Sequence, residues 1–307
     1  PKRIIRRADW IRDARSKLQA KPRRHRDKFS CWWRRAYKLR RKMATGRTAL
    51  LLLLLVVHAA CLSGAADAPD PAEPVCNIER RHRLSESEFV SEYQGIKPLV
   101  VTDINDNIDF AKELALASLK EKHGSEVVIL STSNTFSYDK VEMRFDDYID
   151  SVVSKPHTVH KSANESLYMF GDNYQPWLEE LLLGYDRVPF GENQALSFGI
   201  GAHLSGVPFH MHGPGFSEVL SGSKRWFLYP RGMVPEFDPE KTTLNWFYER
   251  YEEQREKGHL YECVISPGEV LYFPYGWYHA TLNIGAETVF ISTFTQEHEE
   301  HISGGAV

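Results

Sequence analysis

The stretch PFHMHGPG, residues 208–215, sets His210 and His212 on alternate positions at the end of an apolar run. On an extended strand, residues two apart face the same way, so both imidazoles would be offered to one partner. Two neutral imidazoles on one face make half of a site for a first-row transition metal. A third ligand has to come from a distant strand, and His279 is the best placed. The segment GEVLYFPYGWYHATLN spaces Gly268, Pro274, Gly276, His279 and Asn283 as G-x5-P-x-G-x2-H-x3-N. Its turn residues re-aim the chain, so that His279 opens a strand pointing inward. A lone histidine in such a run would more often be an ordinary core or surface residue. Two at strand spacing, with a third in a turn-rich frame, point to a metal. His203, His259, His298 and His301 have no such context and read as surface residues.

Strands must position these ligands. From about residue 194 the chain reads as short apolar runs, ALSFGIGAHL, SEVL, KRWFLYP, CVIS, EVLYFP, HATLNI and TVFISTF, separated by Gly- and Pro-containing turns. That texture predicts a sandwich or barrel, and a small barrel can hold a metal in its mouth. A helical insertion over 240–257 interrupts the strands, with Leu244, Phe247, Tyr248 and Tyr251 at i, i+3, i+4, i+7. Upstream, residues 76–193 read as an α+β part that packs on the barrel. In it KPLVVTDI, EVVILST and SLYMFGD are strand candidates, and PWLEELLLGY is a short helix with Pro176 near its first position. Residues 107–123 are expected to form one helix, capped by Asn107 and ending before Gly124. Trp226, Tyr229, Tyr272, Phe273 and Trp277 are expected in the core. The fold class is therefore mainly β with flanking helices.

The spacing around His279 resembles the second sequence motif of the cupin superfamily. GVPFHMHGPGFSEVLSGSKRWFLYP resembles the iron-binding half of a JmjC domain. The resemblance covers roughly residues 76–296 and implies a double-stranded β-helix, with residues 194–296 as the barrel core. It implies that His210 and His279 bind a divalent metal, Fe(II) in this family. It also implies that Lys224 pairs with the far carboxylate of 2-oxoglutarate. Two departures stand out. His212 occupies the position of the family's metal-binding Asp or Glu, and Val207 that of a Thr which commonly meets the co-substrate. Glu218 is the nearest acid, six residues beyond His212, with no sign that it faces the metal. Replacing carboxylate by imidazole removes one negative charge from the metal's ligands and leaves a three-histidine set that suits Zn, Ni, Cu or Fe.

The ends of the chain concern its address. Residues 1–42 carry eighteen of the 38 Lys and Arg and three acids, which leaves 20 basic against 38 acidic residues for the remainder. A body that acidic is a poor partner for nucleic acid. Residues 43–66, MATGRTALLLLLLVVHAACLSGAA, read as a secretory signal: Arg47, then an apolar run over 50–57 and the alanines that follow, then small residues. The run is too short to span a bilayer. On this reading the basic segment 1–42 is absent from the mature protein, and the rival is a signal anchor with a basic tail. Residues 67–75 are a Pro/Ala/Asp linker, and 297–307 a tail without a retention signal. Cys76 and Cys263, the two cysteines left in a mature chain, are a candidate disulfide, with two unrelated thiols as the alternative. Asn164, in Asn164-Glu165-Ser166, is a candidate glycosylation site. The expectation is a protein of the endoplasmic reticulum lumen, or a secreted one, with no membrane span and a protein as partner or substrate. The three-histidine site favours a regulatory or scaffold role. The alternative is an Fe(II)/2-oxoglutarate-dependent oxygenase that hydroxylates a protein side chain. No residue is assigned a catalytic role, and demethylation of histones does not fit a lumenal address.

Overall fold

A computed structural model describes residues 68–296, apart from Tyr138 and Asp172. The basic segment, the signal, the tail, His298 and His301 lie outside the described residues. The α+β part holds β1 (Arg80–His82), α1 (Glu86–Glu92), β2 (Leu99–Thr102), α2 (Ile108–Glu113), α3 (Leu116–His123), β3 (Val127–Thr132), β4 (Lys140–Arg144), α4 (Phe145–Tyr148), β5 (Leu167–Tyr168) and α5 (Pro176–Leu182). The barrel part holds β6 (Glu192–Ala202), β7 (Gly215–Ser221), β8 (Lys224–Tyr229), α6 (Thr243–Glu256), β9 (Tyr261–Ile265), β10 (Glu269–Phe273), β11 (Tyr278–Asn283) and β12 (Glu287–Gln296).

Three sheets result. The major sheet runs β1-β2-β10-β7-β12-β6, the minor sheet β11-β8-β9, and a small third sheet β4-β3-β5. Strand alternation sorts the side chains into layers. Val219, Leu271 and Phe273 of the major sheet meet Trp226, Leu228, Cys263 and Ile265 of the minor sheet in the barrel interior. The opposite face of the major sheet packs Phe198, Ile200, Leu220 and Ile291 under the helices and the third sheet. The outer face of the minor sheet carries Phe227, Tyr229, Ala280 and Leu282, covered by Leu244, Trp246, Phe247 and Tyr251 of α6. This is the double-stranded β-helix, with flanking helices, that the sequence led us to expect. All five aromatics expected in the core are buried. Among the described residues no helix is long and apolar enough to cross a membrane.

Two expectations need correction. The helix over 107–123 is broken into α2 and α3, because Ala115 takes an extended backbone (ψ 124°) after the buried Leu114. Asn107 makes no side-chain cap. Its amide instead joins Asp186 and Glu218, so long-range contacts take the side chain that the local pattern assigned to capping. The linker, too, is not idle. β9 is an edge of the minor sheet, and such an edge leaves backbone groups unpaired. The incoming chain pairs with it: Val264 N–H donates to Val75 O (3.1 Å) and Asn77 N–H to Glu262 O (2.9 Å). Arg225 donates to the Asp70 and Pro71 carbonyls, which pins the segment further. A disulfide joins Cys76 to Cys263 across the same edge, closing a separation of 187 residues.

Candidate metal centre

His210 and His279 lie side by side because their backbones exchange both hydrogen bonds, at 3.1 and 2.9 Å, as an isolated antiparallel bridge. Gly276 N–H then donates to His212 O (3.0 Å), so a second bond ties the two ligand-bearing segments together. Gly276 has φ +71°, the left-handed conformation that glycine takes at least cost, and this lets the 274–277 turn deliver that N–H. His279 pairs with Leu228 on β8, and both face the barrel interior.

The three rings stand 4.3 Å (His210–His279), 4.7 Å (His212–His279) and 5.1 Å (His210–His212) apart between centroids. Each offers one ligand nitrogen, and these lie within 4.8 Å of one another. In every ring Nδ1 sits against a backbone carbonyl: Pro208 O at 2.8 Å for His210, Gly213 O at 2.7 Å for His212, and Trp277 O at 3.0 Å for His279. A carbonyl can only accept, so each Nδ1 carries the proton and the neutral ring has its lone pair on Nε2. Outer hydrogen bonds of this kind fix the tautomer and orientation of metal-binding histidines. His279 is fully buried, and desolvation, with the charges of His210 and His212 added, holds it well below the usual histidine range. It therefore stays neutral, as a ligand must. Phe273 stacks on His279 at 4.9 Å, and Phe273 and Phe294 stand edge-on to His212. His210 and His212 are half-exposed, so the trio opens on that side.

Among the described residues no carboxylate completes the set. Glu218 lies on the outer face of the major sheet, where it accepts from Tyr185 Oη (2.8 Å), Asn105 Nδ2 (2.6 Å) and Asn107 Nδ2 (3.0 Å). Burial raises its pKa, and the three donors act against that rise. The metal donors are thus three neutral nitrogens, a set that suits Zn, Cu, Ni or Fe.

A cupin-like domain model matches residues 86–294, which takes in all three ligands and Lys224. The chain belongs to the JmjC-type cupin family. It is 43% identical to JmjC domain-containing protein 8 of Rattus norvegicus over 267 residues, 82% of this chain and 98% of that protein. It is 44% identical to the Homo sapiens protein of the same name, over 72% of this chain and 84% of that one. It is also 28% identical to lysine-specific demethylase JMJ21 of Arabidopsis thaliana, over 72% of this chain and 26% of that protein.

The histidine trio fits a divalent metal by donor type, tautomer and grouping. The JmjC co-substrate, 2-oxoglutarate, does not fit. Lys224 faces inward as the resemblance implied, and it is 2% exposed. Its Nζ donates to Asn283 Oδ1 (3.2 Å) and sits 3.4 Å from the centre of the Phe290 ring. Among the described residues no carboxylate pairs with it, and desolvation pushes its pKa down to about 7. The cavity there, lined by Tyr168, Ile200, Val207, Asn283 and Phe290 among others, holds about 10 Å³. That is room for about one water molecule. A larger groove of about 360 Å³, lined by His157, Leu204, Leu244 and Tyr248 among others, includes none of the metal ligands.

Sequence reasoning missed the three carbonyls that set the tautomers. Their signal is local: His210 and His279 each bond the carbonyl two residues back. His203, read as a surface residue, is half-buried, and its Nδ1 contacts the Ile284 and Gly285 carbonyls. Asn283 supports the Lys224 amine and donates to Ser205 Oγ (3.0 Å).

Proposed function

We propose that this chain is a lumenal metal-binding JmjC barrel that acts by holding a protein partner, in a regulatory or scaffold role, and not as an efficient oxygenase. The observation that carries this reading is that the described residues bring three histidines and no carboxylate together, with His212 in the carboxylate's place. Three neutral ligands keep the full double charge on the cation. The family's two histidines and one carboxylate keep iron weakly ligated, with positions open for oxygen chemistry. The address is supported by the signal-like segment at 43–66 and by the Cys76–Cys263 bond, which persists in oxidising compartments. Asn164 is exposed, as a glycosylated asparagine must be.

A second reading, a 2-oxoglutarate-dependent protein hydroxylase, is favoured by one observation: Lys224 stands at the family's co-substrate position without a carboxylate partner. Relatives named as demethylases and lysyl-hydroxylases lend it support.

Elemental analysis of the chain purified from a secretory host tests the first reading. One bound metal per chain, lost in His279→Ala, is the expected result. Folded chain that neither carries nor takes up metal would end it. Turnover of 2-oxoglutarate by the wild-type chain would favour the second reading. Glycosidase sensitivity that disappears in Asn164→Gln would support the lumenal address, and a cytosolic, unglycosylated chain would remove it.

A further inference from the structure

We infer that Phe290 is a built-in plug which takes the place of a dicarboxylate co-substrate beside Lys224. This inference rests on the barrel reading above and gives it a specific residue.

The plug is made by cross-strand pairing. Phe290 on β12 lies directly opposite Gly199 on β6 and Val219 on β7. Its ring lies over the bare backbone of Gly199, where any β-carbon would run into it. An aromatic side chain over a cross-strand glycine is a favourable pairing in a sheet. Phe170 backs the ring at 5.3 Å between centroids. The ring also meets the Lys224 amine, which lies 3.4 Å from its centroid, and Phe290 is only 4% exposed.

The remaining walls have little freedom to retreat. The 204–207 segment runs along β11, with hydrogen bonds from Leu204 N–H to Asn283 O (2.7 Å), from Asn283 N–H to Ser205 O (2.8 Å) and from Thr281 N–H to Val207 O (2.9 Å). Gly206 presses so closely on Thr281 that a β-carbon there would meet its carbonyl. Asn283 is held by both Ser205 and Lys224. Small-molecule sites start at roughly 300 Å³, against about 10 Å³ here. The Phe290 ring lies directly against the Lys224 amine, and losing it opens space there without cutting a backbone bond. A lysine with its charge suppressed by burial fits this closed state, since an anion site needs the ammonium form.

The test is calorimetric titration of 2-oxoglutarate, under argon, into the folded full chain with and without Fe(II). Metal content is measured first, so a failure of the metal reading shows there, and the metal-free titration still reports on the plug. Wild-type chain is expected to give no saturable heat. Phe290→Ala, or the gentler Phe290→Leu should the first fail to fold, is expected to gain affinity by roughly tenfold or more, a difference of about 1.4 kcal/mol. The gain should vanish when Lys224→Ala is added. Saturable binding to wild-type chain that depends on Lys224 overturns the inference. So does a folded Phe290 variant that binds no better than wild type.

Discussion

Lys224 and Arg225 are neighbours on one strand, yet they sit on opposite faces and meet opposite fates. Arg225 faces α6 with its side chain fully buried, and its counter-charge has been buried with it, although its Nε finds no hydrogen-bond partner. Glu262 lies at 2.7 Å and the Tyr251 hydroxyl at 2.7 Å, with two backbone carbonyls and the rings of Phe227, Phe247 and Tyr251 around it. Lys224 faces the barrel interior and has Asn283 and the face of Phe290. The outer face of the minor sheet thus keeps a charge by pairing it, whereas the inner face suppresses one by desolvation. A paired buried charge is a structural fastener. An unpaired one carries its desolvation cost without that return.

That contrast can be broken in several ways. The largest effect is expected from Glu262→Ala, which leaves the Arg225 guanidinium buried without its counter-charge. We expect a loss of about 3–5 kcal/mol in urea unfolding, and a change below about 1 kcal/mol would mean that the outer pair is no fastener. Next comes metal removal. If the histidine trio binds only in the folded chain, stripping metal held at 100 times its dissociation constant should cost about 2.7 kcal/mol, and urea midpoints with and without chelator check this. Lys224→Met should do the reverse of Glu262→Ala and raise stability at neutral pH by roughly 1–3 kcal/mol, since it strands no counter-charge and only one amide acceptor, Asn283 Oδ1. Its pH signature is sharper. The folded amine titrates near 7 and the unfolded one near its ordinary 10.5. Between those values the unfolded chain holds the extra proton, so wild-type stability should climb as pH rises from about 7 to about 10.5. The climb should flatten in Lys224→Met. The smallest change is expected from Tyr251→Phe, which takes one donor from Glu262 and one acceptor from Arg225 and should cost about 1 kcal/mol.

The same two residues show what a sequence can disclose. KRW within an apolar run places Lys224 and Arg225 on opposite faces, and the JmjC resemblance gives Lys224 a role. The histidine trio was legible for a similar reason, since two-residue spacing and a turn motif are local signals that a strand turns into geometry. Arg225 was not legible, because Glu262 lies 37 residues away on β9 and Tyr251 on a helix between them. Glu218 was left open as a ligand because strand parity alone does not say which face is the interior. Three donors from Asn105, Asn107 and Tyr185 decide that it belongs to the outer face. Phe290 escaped notice altogether. One phenylalanine in TVFISTF looks like any core residue until Gly199 is found opposite it. Asn107 was read as a cap from its neighbours, and distant partners took its side chain.

The bond between Cys76 and Cys263 bears on how this molecule is made. The first cysteine leaves the ribosome 187 residues ahead of its partner. At typical synthesis speeds that is roughly ten to forty seconds, during which a reactive sulfur waits on a nascent chain whose edge strand does not yet exist. Throughout that interval the growing polypeptide is open to wrong pairings and depends on whatever thiol-handling machinery surrounds it.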